Sequence, residues 1–174
     1  MPTLVLTLLG TDRAGLVSAV SGVISERGGS WERSQMVHLS GTFAGVVEVD
    51  VPAGELDGLI ADVEGLAAEG LRVTVERSEP APVEQVSGQR LALQLVGADR
   101  PGIVAEVSSL LAEHGANVEE LSSRVISAPM AGGTIFEAEV TIGLPEGADS
   151  ADLVEALESL ANELMVDLEF DTSD

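Results

Sequence analysis

The chain has 174 residues, of which 45% are hydrophobic but only 2% aromatic, so its cores must be built from Val, Leu, Ile and Ala. It carries 30 acidic residues against 8 basic ones, all Arg, for a formal charge of −22. That excess repels phosphate backbones and anionic bilayers, so neither direct nucleic-acid binding nor membrane binding is expected. The absence of cysteine excludes disulfides, thiolate catalysis and Cys-ligated metals. A basic protein partner is compatible with the charge; so is a simple role in solubility.

Met1-Pro2-Thr3 runs straight into a strand-like segment, with no basic n-region and no small-residue cleavage site. No apolar stretch approaches the ~18 residues that span a bilayer. The cytoplasm is the expected location. Residues 3–9 alternate with period two and read as a strand. A turn follows, and residues 15–27 then place apolar side chains on one helical face. Gly28 stands where a helix stops. Strands are expected at about 30–39 and 42–51, around Ser40-Gly41, with Val47, Val49 and Val51 alternating with Glu48 and Asp50. Leu56, Leu59, Ile60, Val63 and Leu66 make a second helical face, and a strand closes the unit near 71–76.

The segment 78–89, rich in Pro, Glu and Ser, reads as a linker between a first domain at 1–77 and a second at 90–171. The second domain repeats the order: a strand at 91–96, a helix at 102–114 stopped by Gly115, and strands at about 117–127 and 133–143 around Pro129 and Gly132-Gly133. A helix with Leu153, Val154, Leu157, Leu160 and Ala161 on one face comes next, then a strand near 164–170. The fold class is α/β in the α+β sense, βαββαβ twice, the ferredoxin-like arrangement. Helices on only one face leave the other face or the edges of each sheet open for pairing.

The two halves are copies of each other. At an offset of 87, residues 10–29 match residues 97–116 at 9 of 20 positions, where roughly one match is expected by chance. The shared turn is Gly-x-Asp-Arg-(Ala or Pro)-Gly, between the first strand and first helix of each copy.

Gly97-Ala98-Asp99-Arg100-Pro101-Gly102-Ile103-Val104, followed by Gly115-Ala116-Asn117-Val118, resembles the signature of the ACT domain. Gly10-Thr11-Asp12-Arg13-Ala14-Gly15-Leu16-Val17, then Gly28-Gly29-Ser30-Trp31, repeats it more loosely. The resemblance implies βαββαβ regulatory modules that bind small ligands, usually amino acids. It covers nearly the whole chain outside the linker and tail. A chain made only of two such units is similar to the glycine cleavage system transcriptional repressor family. That likeness implies action through a DNA-binding activator rather than on DNA itself.

A free amino acid needs donors for its carboxylate and acceptors for its ammonium. First-turn N–H groups of a helix lack intrahelical partners and lie at the positive end of its dipole, which suits a carboxylate. Gly15 and Gly102 would allow close approach to the backbone. Pro101 is expected as an early helical residue, where a missing N–H costs little. Asp12 and Asp99 could accept from an ammonium, and Asn117 could both donate and accept. By resemblance, the Asp of the turn and the Asn after the helix are where ACT domains contact an amino acid; Ser30 stands at that second position in the first copy. The candidate ligand-binding set is therefore Asp99, Arg100, Pro101, Gly102, Ile103 and Asn117, with Asp12, Arg13, Gly15, Leu16 and Ser30 in the first copy. The same residues admit structural readings, with Asp12 and Asp99 as helix caps and Arg13 and Arg100 as surface partners of nearby acids.

No catalytic constellation is legible. His38 and His114 occupy non-equivalent positions in the repeat and suggest no metal site. Alternation places Glu119 and Glu120 on opposite faces of a strand. Glu137 and Glu139 share one face as a weak metal alternative, and Trp31 is expected to pack at an interface. The expected protein is a non-enzymatic regulator and homodimer that senses glycine or serine without a cofactor and acts on a protein partner such as a transcriptional activator. The alternatives are a ligand-independent interaction module and a regulatory subunit of an amino-acid-metabolism enzyme. The second copy, with Pro101 and Asn117, is the preferred ligand site.

Overall fold

Strict alternation in Leu4, Leu6 and Leu8 makes the first segment a strand with one buried face, and each unit grows around such a strand. The computed structural model describes residues 1–78, 88–128, 130 and 132–171. The chain divides into two units, Met1–Pro82 and Val83–Asp174. The first contains β1 (Thr3–Thr11), α1 (Leu16–Glu26), β2 (Ser30–Leu39), β3 (Thr42–Asp50), α2 (Leu56–Gly65) and β4 (Leu71–Ser78), with single 3-10 turns at Ala53–Glu55 and Leu66–Glu69 flanking α2. The second contains β5 (Arg90–Ala98), α3 (Ile103–Glu113), β6 (Asn117–Ser127), β7 (Thr134–Gly143), α4 (Ser150–Leu164) and β8 (Val166–Asp171). Each sheet is antiparallel, in the orders β2-β3-β1-β4 and β6-β7-β5-β8. This is the ferredoxin-like βαββαβ arrangement twice over. Residues 79–87 of the expected linker, and Pro129 of the second hairpin, lie outside the described residues.

In the first unit, Leu16, Val20 and Ile24 of α1 and Leu59 and Val63 of α2 meet Leu4, Leu6, Leu8, Val47 and Val49 of the sheet. In the second, Ile103, Val107, Leu111, Leu153 and Leu157 meet Leu91, Leu93, Leu95, Val140 and Ile142. Removing each such side chain from water contributes about 1.5–3 kcal/mol. Trp31 packs on the core of its own unit, and its Nε1–H donates to Ser34 Oγ at 3.2 Å. Arg27, at the end of α1, clamps α2 through Asp62 at 2.7 Å and Glu55 at 3.1 Å. These hydrogen bonds, Asp62 first, raise its pKa above the ordinary arginine value.

Several local details differ from the sequence expectation. Pro101 is not in the helix but precedes its cap: Gly102, at φ +97°, is the N-cap and Ile103 the first helical residue. The proline ring sets φ near −65° and so shapes the turn, while Gly102 takes the left-handed conformation that a side chain resists. Leu164 ends α4 instead of opening the last strand, because it is buried as part of the helix's apolar face; Met165 then reverses the chain at φ +53°. A β-bulge interrupts β2 between Trp31 and Arg33, and β6 at the equivalent Val118 and Glu120. The bulge breaks the alternation that would separate Glu119 from Glu120. Glu119 reaches Arg90 Nε at 2.8 Å, on the sheet face that Glu120 also occupies by register. At Ser40-Gly41 both residues have positive φ, 49° and 78°, as a two-residue type I′ hairpin requires.

Candidate functional site

The two turns are built alike. After β1, the Asp12 N–H donates to Gly41 O at 2.9 Å; after β5, the Asp99 N–H donates to Thr134 O at 2.9 Å. Each bond extends the sheet ladder one step, pinning the Asp beside its neighbouring strand. The chain then climbs to a glycine with left-handed φ, +92° at Gly15 and +97° at Gly102, and enters the helix. The Gly15 and Gly102 carbonyls accept the first helical bonds, from Ala19 and Glu106 N–H at 2.9 Å. Leu16 and Ile103 are buried and anchor the helix start in the core.

Among the described residues, no side chain caps α1 or α3. The capping reading of Asp12 and Asp99 therefore fails: Asp99 Oδ2 accepts from Thr134 Oγ1 at 3.5 Å, and Asp12 Oδ2 lies 3.7 Å from His38 Nε2. A true side-chain cap occurs on α4, where Asp149 accepts from the Ala151 N–H at 2.8 Å. The first-turn amides of α1 and α3, at the positive ends of their helices, thus have no capping side chain among the described residues. Arg100, in the turn before α3, pairs with Glu106 of α3 at 3.2 Å. Arg13 pairs with Glu69, lying 3.7 Å from its carboxylate and donating to its main-chain carbonyl at 2.9 Å.

The first glycine of each turn has a packing cause that sequence reasoning missed. A Cβ at Gly10 would lie 2.6 Å from Gly70 O, and one at Gly97 would lie 2.5 Å from Val166 Cγ1. These glycines let the last strand of each unit approach the first.

Asp99, Arg100, Pro101, Gly102 and Ile103 lie together, but Asn117 does not join them. Asn117 pairs with Gly143, which pairs with Arg90 at the start of β5, while Asp99 follows the end of that strand. Nine residues of strand separate the two levels, on the order of 25–30 Å at ~3.3 Å per residue. Ser30 is likewise level with Asp50 and Thr3, at the far end of the sheet from Asp12, Arg13, Gly15 and Leu16. The helix carries the chain back before the next strand begins, so one unit cannot close both contacts on one small ligand.

His38 Nε2 accepts from the Gly41 N–H at 3.2 Å, and His114 Nδ1 lies 2.9 Å from the Leu110 carbonyl at the end of α3. Among the described residues, no three of His, Asp and Glu gather to hold a metal ion. Among the same residues, no helix is long and apolar enough to cross a membrane.

Two copies of one βαββαβ unit, each opening its first helix at a left-handed glycine, define a tandem of small ferredoxin-like domains. Family models of the ACT domain match residues 2–83 and 92–162. The chain belongs to the ACT-domain family and carries two ACT domains in tandem. The glycine cleavage system transcriptional repressor of Escherichia coli is 26% identical over 165 residues, 92% of this chain and 85% of that protein. A UPF0237 protein of Methanopyrus kandleri is 40% identical over 80 residues, covering 45% of this chain and 82% of that one. Among solved structures, a protein of Galdieria sulphuraria superposes with a TM-score of 0.86 at 28% identity, over 99% of both chains. The chain is thus an ACT-domain regulatory protein related to the glycine cleavage repressor.

Proposed function

We propose that the protein is a non-enzymatic sensor of a small amino acid, glycine or serine, that acts on a protein partner in transcriptional control of glycine cleavage. The observation that carries this reading is the uncapped N-terminus of α3 beside Asp99. The first-turn amides, without a capping side chain, suit the ligand carboxylate, and the exposed Asp99 carboxylate suits its ammonium. A handful of such contacts gives an affinity on the order of µM to mM. The similarity to the Escherichia coli repressor along 92% of this chain supports the choice of pathway. The partner is a DNA-binding activator, since a chain with net charge −22 is poorly suited to touch DNA itself.

In this reading the protein is a homodimer. A second copy brings its Asn117 to the turn at Asp99, because one unit holds the two too far apart. The second ACT domain is the better site, as the first has Ser30 at the Asn position.

Calorimetry with each of the twenty amino acids tests the proposal. Glycine or serine should release or absorb heat, with half-saturation between micromolar and millimolar concentration. No heat with any of them at millimolar ligand would end the sensing claim. A stable partner co-purified from the native host without ligand dependence would favour a plain docking module.

A further inference from the structure

The helix-free faces of the two sheets have the same register but different charge: in the first unit Arg33 and Arg72 are balanced by Glu48 and Glu76. In the second unit that face presents Glu120, Ser122 and Arg124 on β6, Glu137 and Glu139 on β7, Gln94 and Val96 on β5, and Asp167, Glu169 and Asp171 on β8. Arg124 is held by Glu137 at 2.6 Å and Arg90 by Glu119 at 2.8 Å. Glu120, Glu139, Asp167, Glu169 and Asp171 are exposed and have no basic partner among the described residues. On β8 the carboxylates recur at every second residue, ~6.6 Å apart, within a Debye length of ~8–10 Å, so they repel one another.

The first unit shows that the fold does not require this. Where the second has Asp167, Glu169 and Asp171, the first has Arg72, Thr74 and Glu76. Where the second has Glu137 and Glu139, the first has Ala44 and Val46, and Arg33 stands in place of Glu120. An open depression of about 440 Å³ lies on the acidic face, bordered by Gln94, Val96, Ser122, Arg124, Glu137 and Glu139. It has the room and the acceptors for a basic side chain.

We infer that the helix-free face of β5–β8 is a docking surface for a protein partner presenting Lys and Arg. Opposed charge removes the mutual repulsion of the carboxylates and steers encounter, so association is fast and falls as salt rises. The inference rests on the reading that the protein acts through a protein partner, but it does not depend on which amino acid is sensed.

The test uses the full chain and dye-labelled octalysine as the probe. In amide NMR spectra of the ¹⁵N-labelled protein, octalysine should shift resonances of β5–β8 and leave those of β1–β4 in place. Glu139→Gln with Glu169→Gln should weaken octalysine binding about fivefold or more, while Glu155→Gln with Glu158→Gln on the exposed side of α4 should change it less than about twofold. Equal losses from both pairs, or shifts spread over both units, would reduce the effect to bulk charge and overturn the inference. So would the same shifts from magnesium chloride alone, or a face silent to octalysine because a second copy covers it, seen as a doubled sedimentation mass lost in the Gln variants. Amino-acid calorimetry on the same sample separates the two claims. Octalysine docking without amino-acid heats would end the sensing reading alone, and heats without docking would end this inference alone.

Discussion

Asn117 stands at the opposite end of the second sheet from Asp99: it is level with Arg90, where β5 begins, and Asp99 lies where β5 ends. Both residues belong to the ACT-like pattern of the chain. Their separation within one unit is the geometric basis of the proposal that a ligand site draws on two copies.

Mixing two defective variants tests that assignment. Asp99→Ala and Asn117→Ala should each abolish amino-acid binding by calorimetry. In a two-fold dimer, a mixed pair keeps one intact site of two, so an equal mixture that exchanges subunits should regain about a quarter of the sites. A mixture with no regained heat would place both contacts, or neither, in a single copy.

Gly97→Ala should be strongly destabilising, by about 2–3 kcal/mol or more, because the new Cβ overpacks the contact between neighbouring strands. The clash is with Val166 Cα at 2.9 Å as well as with its side chain, so a rotamer change alone does not relieve it. Gly22→Ala, in α1 with no atom within 4 Å of the new Cβ, should instead stabilise by about 0.5–1 kcal/mol through helix propensity. Urea denaturation of both variants measures the contrast.

Asp149→Ala should lower stability by about 1 kcal/mol through loss of the α4 cap. Asp99→Ala should leave stability nearly unchanged, since its carboxylate caps no helix and makes only a long exposed bond to Thr134. Equal losses in thermal melts would restore a structural role for Asp99.

Gly102→Ala tests the backbone alone. The added Cβ would meet only Glu106 Oε1, at 3.4 Å. Its cost should be about 1–2 kcal/mol, from forcing a side chain into left-handed φ. Gly102→Asn should cost less, because Asn tolerates that region better. Similar losses for both, measured by urea titration, would mean that crowding and not φ sets the requirement.

Much of the fold was legible because it depends on short-range periodicity. Period-two runs marked the strands, and apolar positions at helical spacing marked the helices. Gly28 and Gly115 marked the helix ends, and both do take positive φ, 65° and 67°. Pro101 precedes its helix for a local reason, the left-handed cap at Gly102, whereas the other differences depend on neighbours distant in sequence. Glu119 shares a face with Glu120 because of a bulge against β7. Leu164 belongs to α4 because it meets the core. Gly97 is glycine because Val166, far along the chain, approaches it. At the candidate site, the residue types and the duplicated turn could be read directly, whereas the span between Asp99 and Asn117 could not.

The sequence by itself determined the duplication, the βαββαβ order and the acidity, since repeats, local periodicity and charge are properties of residues along one dimension. Only the tertiary structure decided which of those residues share a place. An extended strand advances ~3.3 Å per residue, and the helix that follows it runs back along the sheet, so neighbours in a motif can stand at opposite ends of a domain. Register then collects carboxylates from β6, β7 and β8 onto one open face, through pairings between strands that no local pattern records.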